Sequence, residues 1–176
     1  MTPGGRHLVL VGLMGAGKTT VGNRSAQQLD RAFVDTDDIV EALAGMRVAE
    51  LFAIAGGEAK FRDFEHQAVA DACASPAPLV ISTGGGAVVD AENRNRLAAA
   101  GFVVWLRAPV DVLATRLADD SDRPLLAGDA PASLSRLLAL REHIYEAVAD
   151  VAIDTQERSV DDVVTAVVDA YCGVTQ

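Results

Sequence analysis

The stretch that decides the fold is GLMGAGKTTVG, residues 12–22, which directly follows the apolar run LVLV at residues 8–11. Its first glycine, four further residues and then Gly17-Lys18-Thr19 fit the pattern of a phosphate-binding loop. Glycines let the backbone curl so that several N–H groups point into one concavity, and the following helix adds the partial positive charge of its N-terminus. We therefore expect this loop to join a first strand to a first helix and to hold the phosphates of a nucleotide.

Within the loop, Lys18 is placed to reach the β- and γ-phosphates, and the Thr19 hydroxyl is placed to bind Mg²⁺. The nucleotide contacts are expected from Gly15, Ala16, Gly17, Lys18, Thr19 and Thr20. A glycine-rich turn that binds nothing would need neither the lysine nor the second pair of glycines. Switches, motors and small-molecule kinases all carry such a loop. The Asn-Lys-x-Asp and Asp-x-x-Gly motifs expected of a GTPase do not occur in the sequence.

Five continuous apolar runs bounded by turn residues predict strands that are buried on both faces. They lie at residues 7–12, 32–37, 78–83, 101–106 and 151–155. Helical patterns lie at residues 18–29, 38–44, 47–55, 58–73, 91–100, 110–118, 133–149 and 160–171. Because strands and helices alternate, the right-handed crossover rule predicts a three-layer α/β fold, with a five-stranded parallel sheet and helices on both faces.

The composition agrees with this fold and excludes several functions. Half of the 176 residues are hydrophobic but only 5% are aromatic, which suits helices packed on a buried sheet, and the length fits one domain over residues 1–176. A formal net charge of −10 argues against nucleic acid as a partner, since phosphate backbones are bound by basic faces. We expect a cytoplasmic monomer with no membrane segment, whose Cys73 and Cys172 are reduced thiols that match no metal-binding spacing.

Two aspartates close the second predicted strand, in the sequence FVDTDD. In an extended segment, residues two apart point the same way, so Asp35 and Asp37 are expected to project together from the carboxyl edge where open α/β sheets bind ligands. One could serve magnesium, and the other could accept a proton from an attacking alcohol. The alternative is that these acids cap the following helix, a role we expect for Asp38 rather than for Asp35 or Asp37.

Three consecutive glycines, Gly84, Gly85 and Gly86, follow the third predicted strand in the sequence TGGGA. They remove every side chain at the binding edge, so that the backbone can touch a small polar ligand. A plain turn would require only one glycine, which favours the ligand contact.

Three arginines stand in positions suited to binding. Arg62 in FRDFE has Glu65 on the same helix face to fix its guanidinium, and Arg141 lies in the helical sequence ALREHIY. Arg123 lies in a loop-like stretch at residues 119–133, which we expect to act as a lid that closes over a transferring phosphoryl group. The default for an arginine in an acidic protein is a solvated ion pair, which we expect for Arg24, Arg94, Arg96 and Arg136.

Taken together, these motifs resemble the shikimate kinase family. The sequences GLMGAGKTTVG, DTD, FRDFE, TGGGA, RPLL and REHIY occur in that family's order and at close to its spacing, over nearly the whole chain. The resemblance implies a nucleoside monophosphate kinase-like P-loop fold, with a substrate-binding segment at about residues 36–75 and a lid at about residues 119–133. It also implies transfer of the ATP γ-phosphate to the 3-hydroxyl of shikimate, in the pathway to chorismate and aromatic amino acids.

The resemblance also implies roles for individual residues. Asp37 would bind the shikimate hydroxyls and act as the base, and the Gly84 to Gly86 backbone would touch the ring substituents. Arg62 and Arg141 would clamp the carboxylate. Magnesium would be served by Thr19 and Asp35, the transferring phosphoryl by Lys18 and Arg123, and the adenine region by Arg116 and Arg158.

The chain departs from the family pattern at two places. It has one more residue than expected between Phe52 and Arg62, most simply a doubled glycine at Gly56 and Gly57. An extra residue inside the helix would rotate Arg62 by about 100° away from the site, so we expect it to be absorbed in the loop. The second departure is Val160, where the family often has a proline against adenine.

Three other functions share the phosphate-binding loop. A gluconate kinase-like or an adenylylsulfate kinase-like enzyme would have the same fold, but would not be expected to combine DTD, FRxxE and the three glycines. A nucleotide-binding regulator without catalytic activity would not require Asp37.

Overall fold

The apolar runs of the sequence form one parallel sheet. In the computed structural model, which describes residues 5–118 and 129–174, the strands are β1 (His7–Val11), β2 (Phe33–Asp35), β3 (Val80–Ser82), β4 (Gly101–Arg107) and β5 (Val151–Asp154). Their order is β2-β3-β1-β4-β5, and every neighbouring pair is parallel. The five predicted strands are confirmed, although β2 and β3 are each three residues long and shorter than the predicted runs.

Helices connect the strands and cover both faces of the sheet, as predicted. They are α1 (Lys18–Leu29), α2 (Thr36–Ala44), α3 (Val48–Ala53), α4 (Gly57–Cys73), α5 (Ala91–Ala100), α6 (Val110–Leu117), α7 (Ala130–Val148) and α8 (Val160–Val174). A short 3-10 turn at Ala87–Val89, which was not predicted, follows the three glycines. None of the helices in residues 5–118 and 129–174 combines the length and the apolar character that crossing a membrane requires.

The register of the central strands brings the predicted motifs to one edge. Leu10 of β1 is aligned with Ser82 of β3 on one side and with Val104 of β4 on the other. The chain therefore leaves β1 and β3 at neighbouring points, where the phosphate-binding loop and the three glycines begin. In parallel sheets this carboxyl edge is where ligands bind.

Two clusters of buried apolar side chains support the fold. The larger cluster surrounds the sheet and includes Trp105 of β4 and Tyr145 of α7. The smaller cluster consists of Val40, Leu51, Phe61 and Ala68, and it holds α2, α3 and α4 together. The predicted substrate-binding segment at residues 36–75 therefore has a small core of its own.

The predicted lid must be shortened at its C-terminal end. Residues 130–133 lie in the first turn of α7, not in a loop. The reason is local, because the Asp129 side chain accepts a hydrogen bond from the Ala132 N–H (3.1 Å) and caps the helix, and Pro131 suits its first turn. The rest of the predicted lid, residues 119–128 with Arg123, lies outside the described residues.

Candidate active site

A cavity of about 650 Å³ opens at the carboxyl edge of the sheet. It contains every predicted site residue in the described part of the chain. On the nucleotide side these are Gly15, Ala16, Gly17, Lys18, Thr19, Thr20, Asp35, Arg116 and Arg158, and on the other side they are Asp37, Arg62, Gly84, Gly85, Gly86 and Arg141. The structure thus brings together residues that are up to 143 positions apart in the sequence.

The phosphate-binding loop has the backbone that its glycines predicted. Gly12 has a φ of 142°, and a Cβ atom there would lie 2.3 Å from the carbonyl oxygen of Leu106, so this position fixes the loop against β4. Gly17 has a φ of 90° immediately before α1. Lys18 is buried, and its Nζ donates to the Leu13 carbonyl oxygen at 3.0 Å, across the loop. The loop therefore presents its N–H groups and this ammonium to the same concavity.

Asp35 has two roles, and one of them, capping of α2, was not expected for it from the sequence. Its Oδ1 accepts a hydrogen bond from the Asp37 N–H (3.0 Å) and caps α2, while its Oδ2 accepts from the Thr19 hydroxyl (2.9 Å). The capping role expected of Asp38 belongs to Asp35. Because this cap starts the helix at Thr36, Asp37 lies in the first turn of α2, and the expectation that both acids extend from one strand is wrong. Both acids still line the cavity.

Asp37 is held next to the first of the three glycines. The Gly84 N–H donates to the Thr36 hydroxyl at 3.0 Å, which ties the end of β3 to the start of α2. A Cβ atom on Gly84 would lie 2.7 Å from Asp37 Oδ1 and 3.0 Å from Glu65 Oε1. Glycine is therefore required here, because two carboxyl groups occupy the space that a side chain would take.

Arg62 is oriented by Glu65, as predicted. The Arg62 Nη1 donates to Glu65 Oε2 at 2.6 Å, and Glu65 is only 1% exposed. Burial raises the pKa of Glu65, although the charge and hydrogen bond of Arg62 act to lower it. A Cβ atom on Gly86 would lie 2.6 Å from Arg62 Nη1, so the third glycine makes room for the guanidinium.

The doubled glycine does not displace Arg62 from the cavity. Gly56 has a φ of 70° and caps α4, which begins at Gly57. The two glycines therefore lie at the boundary between loop and helix, and the helix that carries Arg62 is continuous from there. Arg62 lines the cavity, which agrees with the expectation that the loop absorbs an extra residue.

The middle glycine is held through its carbonyl group. The Tyr145 hydroxyl donates to the Gly85 carbonyl oxygen, and the Arg141 Nη1 donates to the same oxygen at 3.3 Å. Arg141 is buried, with 8% of its surface exposed, and lies one turn before Tyr145 on α7. A second long helix thus supports the glycine segment.

On the nucleotide side of the cavity, Arg116 bridges two loops. Arg116 Nη1 donates to the Thr155 hydroxyl (2.9 Å) and Arg116 Nη2 to the Thr155 carbonyl (3.0 Å), while Nη1 also reaches the Gly15 carbonyl at 3.3 Å. This guanidinium connects the phosphate-binding loop to the segment after β5. Arg158 and Val160 line the cavity on the same side.

Comparisons with known proteins agree with this geometry. The family model for shikimate kinase matches residues 14–172 of the chain. A shikimate kinase of Symbiobacterium thermophilum is 48% identical over 166 residues, covering 93% of this chain and 94% of that protein. A shikimate kinase of Chromobacterium violaceum is 45% identical over 164 residues, covering 93% of this chain and 88% of that protein.

A solved structure of a shikimate kinase has the same fold as this chain. The shikimate kinase of Acinetobacter baumannii in complex with shikimate superimposes with a TM-score of 0.90 at 36% identity, covering 96% of this chain and 94% of that one. The chain belongs to the shikimate kinase family.

Several residues of this family member line the cavity without having been predicted from the sequence. Polar and aromatic examples are Glu41, Arg47, Phe52 and Phe61 between the start of α2 and α4, and Thr155 after β5. Phe52 and Phe61 contact each other with ring centroids 4.9 Å apart. Phe61 could have been suspected from its place beside Arg62, and Thr155 from its place at the end of a predicted strand. Glu41 and Arg47 carry no such signal, because surface charges on short helices are common.

Proposed function

We propose that this chain transfers the γ-phosphate of ATP to the 3-hydroxyl of shikimate, giving shikimate 3-phosphate and ADP in the pathway to chorismate and aromatic amino acids. The observation that carries the proposal is that one cavity is lined by a phosphate-binding loop, by Asp37 and by two arginines from different helices. The loop can hold a triphosphate, Asp37 can activate an alcohol, and the two arginines can hold an organic carboxylate. Membership of the shikimate kinase family supports the same substrate.

At the acid end, Arg62 and Arg141 would bind the carboxylate of shikimate. A planar carboxylate matches the fork of a guanidinium group, and two such forks fix both its position and its plane. Arg62 is suited to this role because Glu65 already holds one edge of its guanidinium. The ring would then lie along the backbone of Gly84, Gly85 and Gly86.

At the reacting end, Asp37 would accept the proton of the 3-hydroxyl, or orient that hydroxyl towards the γ-phosphate. Lys18 would donate to the transferring phosphoryl group and stabilise its charge, which is the main catalytic demand of phosphoryl transfer. Arg123 would assist from the lid, and its position lies outside the described residues.

Thr19 and Asp35 would hold Mg²⁺, which neutralises charge on the phosphates when it is bound. The fit is supported by the contact between the Thr19 hydroxyl and Asp35 Oδ2 (2.9 Å), because it places two hard oxygen ligands together beside the loop. In residues 5–118 and 129–174 there is no group of three or more His, Cys, Asp or Glu side chains that could hold a metal ion. Magnesium at a phosphate-transfer site is held by one or two protein ligands together with phosphate oxygens and water.

The remaining proposals concern the nucleotide base and the organisation of the chain. Arg116 and Arg158 would contact the adenine region, since both line the cavity beside the loop. We further propose a single kinase domain over residues 1–176 that works as a cytoplasmic monomer, with a substrate-binding segment at residues 36–75. The lid would end at Asp129, where α7 is capped.

The proposed function is tested by a steady-state assay with ATP, Mg²⁺ and a panel of acceptors. We expect ADP formation to depend on shikimate and to be negligible with gluconate or adenylylsulfate. Turnover of gluconate or adenylylsulfate without turnover of shikimate would assign the chain to another small-molecule kinase. Tight ATP binding with no turnover of any acceptor would favour the regulator instead.

A further inference from the structure

Tyr145 is fully buried, but its hydroxyl contacts Gly85, which lines the cavity. It donates to the carbonyl oxygen of Gly85 at 2.5 Å, and Arg141 donates to the same oxygen at 3.3 Å. Tyr145 and Arg141 are four positions apart on α7 and therefore lie on one face of that helix. Two donors from a single helix thus meet at one backbone carbonyl of the glycine segment.

The surroundings of Tyr145 fix its hydroxyl as a permanent donor. Its ring packs against Trp105 of β4, with centroids 5.7 Å apart and planes inclined by 24°. Burial raises the pKa of Tyr145 to about 12, so the hydroxyl keeps its proton at neutral pH. A fully buried hydroxyl requires a hydrogen-bond partner, and the Gly85 carbonyl is that partner.

We infer that Tyr145 is a positioning residue for the organic acid: its hydroxyl holds the Gly85 carbonyl, and so fixes the Gly85–Gly86 peptide and keeps Arg141 available to the substrate carboxylate. The inference deepens the proposed function and rests on it. The C=O and N–H of a trans peptide point in opposite directions. A carbonyl held towards α7 therefore sets the direction of the Gly86 N–H, and Gly86 lines the cavity beside Arg62.

The Tyr145 hydroxyl and Arg141 share the Gly85 carbonyl as acceptor. The hydrogen bond from Arg141 to Gly85 is long, at 3.3 Å, while the tyrosine hydroxyl satisfies the same carbonyl at 2.5 Å. Without that hydroxyl, the Gly85 carbonyl would draw the guanidinium of Arg141 towards itself. The guanidinium would then be less available to a carboxylate, and substrate affinity would fall.

The test is the variant Tyr145→Phe, which removes the hydroxyl and keeps the ring against Trp105. The matched control is Tyr171→Phe. Tyr171 is also fully buried, its hydroxyl donates to the Arg6 carbonyl at 2.6 Å, and its ring packs against Phe102 at 6.0 Å. Arg6 precedes β1, so this second tyrosine lies at the opposite edge of the sheet from the cavity.

We expect Tyr145→Phe to raise KM for shikimate about three- to tenfold, the range for one lost hydrogen bond, with KM for ATP unchanged. Tyr171→Phe should change neither constant, although the Tyr171 hydroxyl also accepts a hydrogen bond from Arg31 (2.6 Å) and its loss should lower the melting temperature. The inference is overturned if Tyr145→Phe leaves KM for shikimate unchanged, or if it raises both KM values in parallel. If the unmodified protein does not phosphorylate shikimate at all, the proposed function fails first, which the same assay shows directly.

A second measurement needs no variant at position 145. The chain has two tyrosines, so labelling with 3-fluorotyrosine gives two ¹⁹F signals, and Tyr171→Phe assigns them. A substrate that accepts a hydrogen bond from the Gly86 N–H polarises the shared peptide and strengthens the bond from Tyr145 to Gly85. Saturating shikimate should therefore shift the Tyr145 signal and leave the Tyr171 signal in place. A Tyr145 signal that does not move, or moves only as much as that of Tyr171, would contradict the inference.

Discussion

The two ends of the cavity are built in different ways. The nucleotide end comes mainly from nine consecutive residues, 12–20, whose backbone shape is set by their own glycines. The acid end is assembled from α2, α4, the segment after β3 and α7, and its side chains hold one another in place. The first end depends on local conformation, and the second depends on packing between distant parts of the chain. Substitutions at one end of the cavity should therefore change the binding or reaction of the substrate at that end and leave binding at the other end unchanged.

Asp37→Asn is expected to give the largest difference between its effect on turnover and its effect on ATP binding. The change removes the proposed base but keeps the size of the side chain and leaves the phosphate-binding loop intact. We expect kcat to fall by about 10²- to 10⁴-fold, with little change in ATP affinity. Turnover measured with saturating ATP and shikimate, and ATP binding measured by calorimetry, check the two halves of this prediction. Near-normal turnover would remove Asp37 from the chemistry.

The next effect concerns the three glycines, which are not equivalent. A Cβ atom on Gly84 would overlap with Asp37 Oδ1 at 2.7 Å, whereas on Gly85 it would meet nothing closer than 3.5 Å. Gly84→Ala should displace the acid and lower kcat/KM for shikimate by about 10- to 100-fold, since small misplacements of reacting groups are costly. Gly85→Ala is the comparison variant, and it should lower kcat/KM for shikimate less than Gly84→Ala does. Equal effects of the two changes would refute the steric argument.

A smaller effect is expected for Arg62→Lys. Lysine keeps the charge but loses the planar fork, so it cannot hold Glu65 with one edge of the group and bind a carboxylate through two parallel hydrogen bonds with another. KM for shikimate should rise about tenfold, which corresponds to about 1.4 kcal/mol, while KM for ATP stays constant. Steady-state kinetics with each substrate varied in turn provide both values. A parallel rise in both constants would mean that Arg62 supports the fold and not the acid end alone.

The smallest effect concerns stability and pH. Burial raises the pKa of Glu65 above its ordinary value of 4.5, so the folded state binds this proton more tightly than the unfolded state. This contribution to stability is present below pH 4.5 and is lost as the pH rises through the raised pKa. Glu65→Gln cannot titrate, so its stability relative to the unmodified protein should improve over that interval. Urea unfolding between pH 4 and pH 7 measures the difference, and a difference that declines with pH would contradict the prediction.

The sequence predicted the nucleotide end almost completely, because its information is local. Gly12, Gly17, Lys18 and Thr19 are neighbours in the chain, and their spacing alone specifies the loop. The five strands were equally accessible, since runs of buried Val, Leu and Ile mark parallel strands.

For the acid end, the sequence predicted which residues take part but not how they are arranged. The sequence interpretation placed Asp37 at the end of a strand, whereas the Asp35 cap starts α2 at Thr36, two residues earlier than predicted. Periodicity cannot show this, because a three-residue strand is too short to display a repeating pattern of apolar residues. The contact between Tyr145 and Gly85 spans 60 positions and leaves no trace in local pattern.

The central claim is that both ends of the cavity act on one pair of substrates. It is tested most directly by a crystal structure with ADP, Mg²⁺ and shikimate bound together. We predict that the shikimate carboxylate lies between Arg62 and Arg141, with its 3-hydroxyl within hydrogen-bonding distance of Asp37 and facing the site of the γ-phosphate beside Lys18. A carboxylate bound away from both arginines, or a 3-hydroxyl directed away from Asp37 and Lys18, would contradict the account.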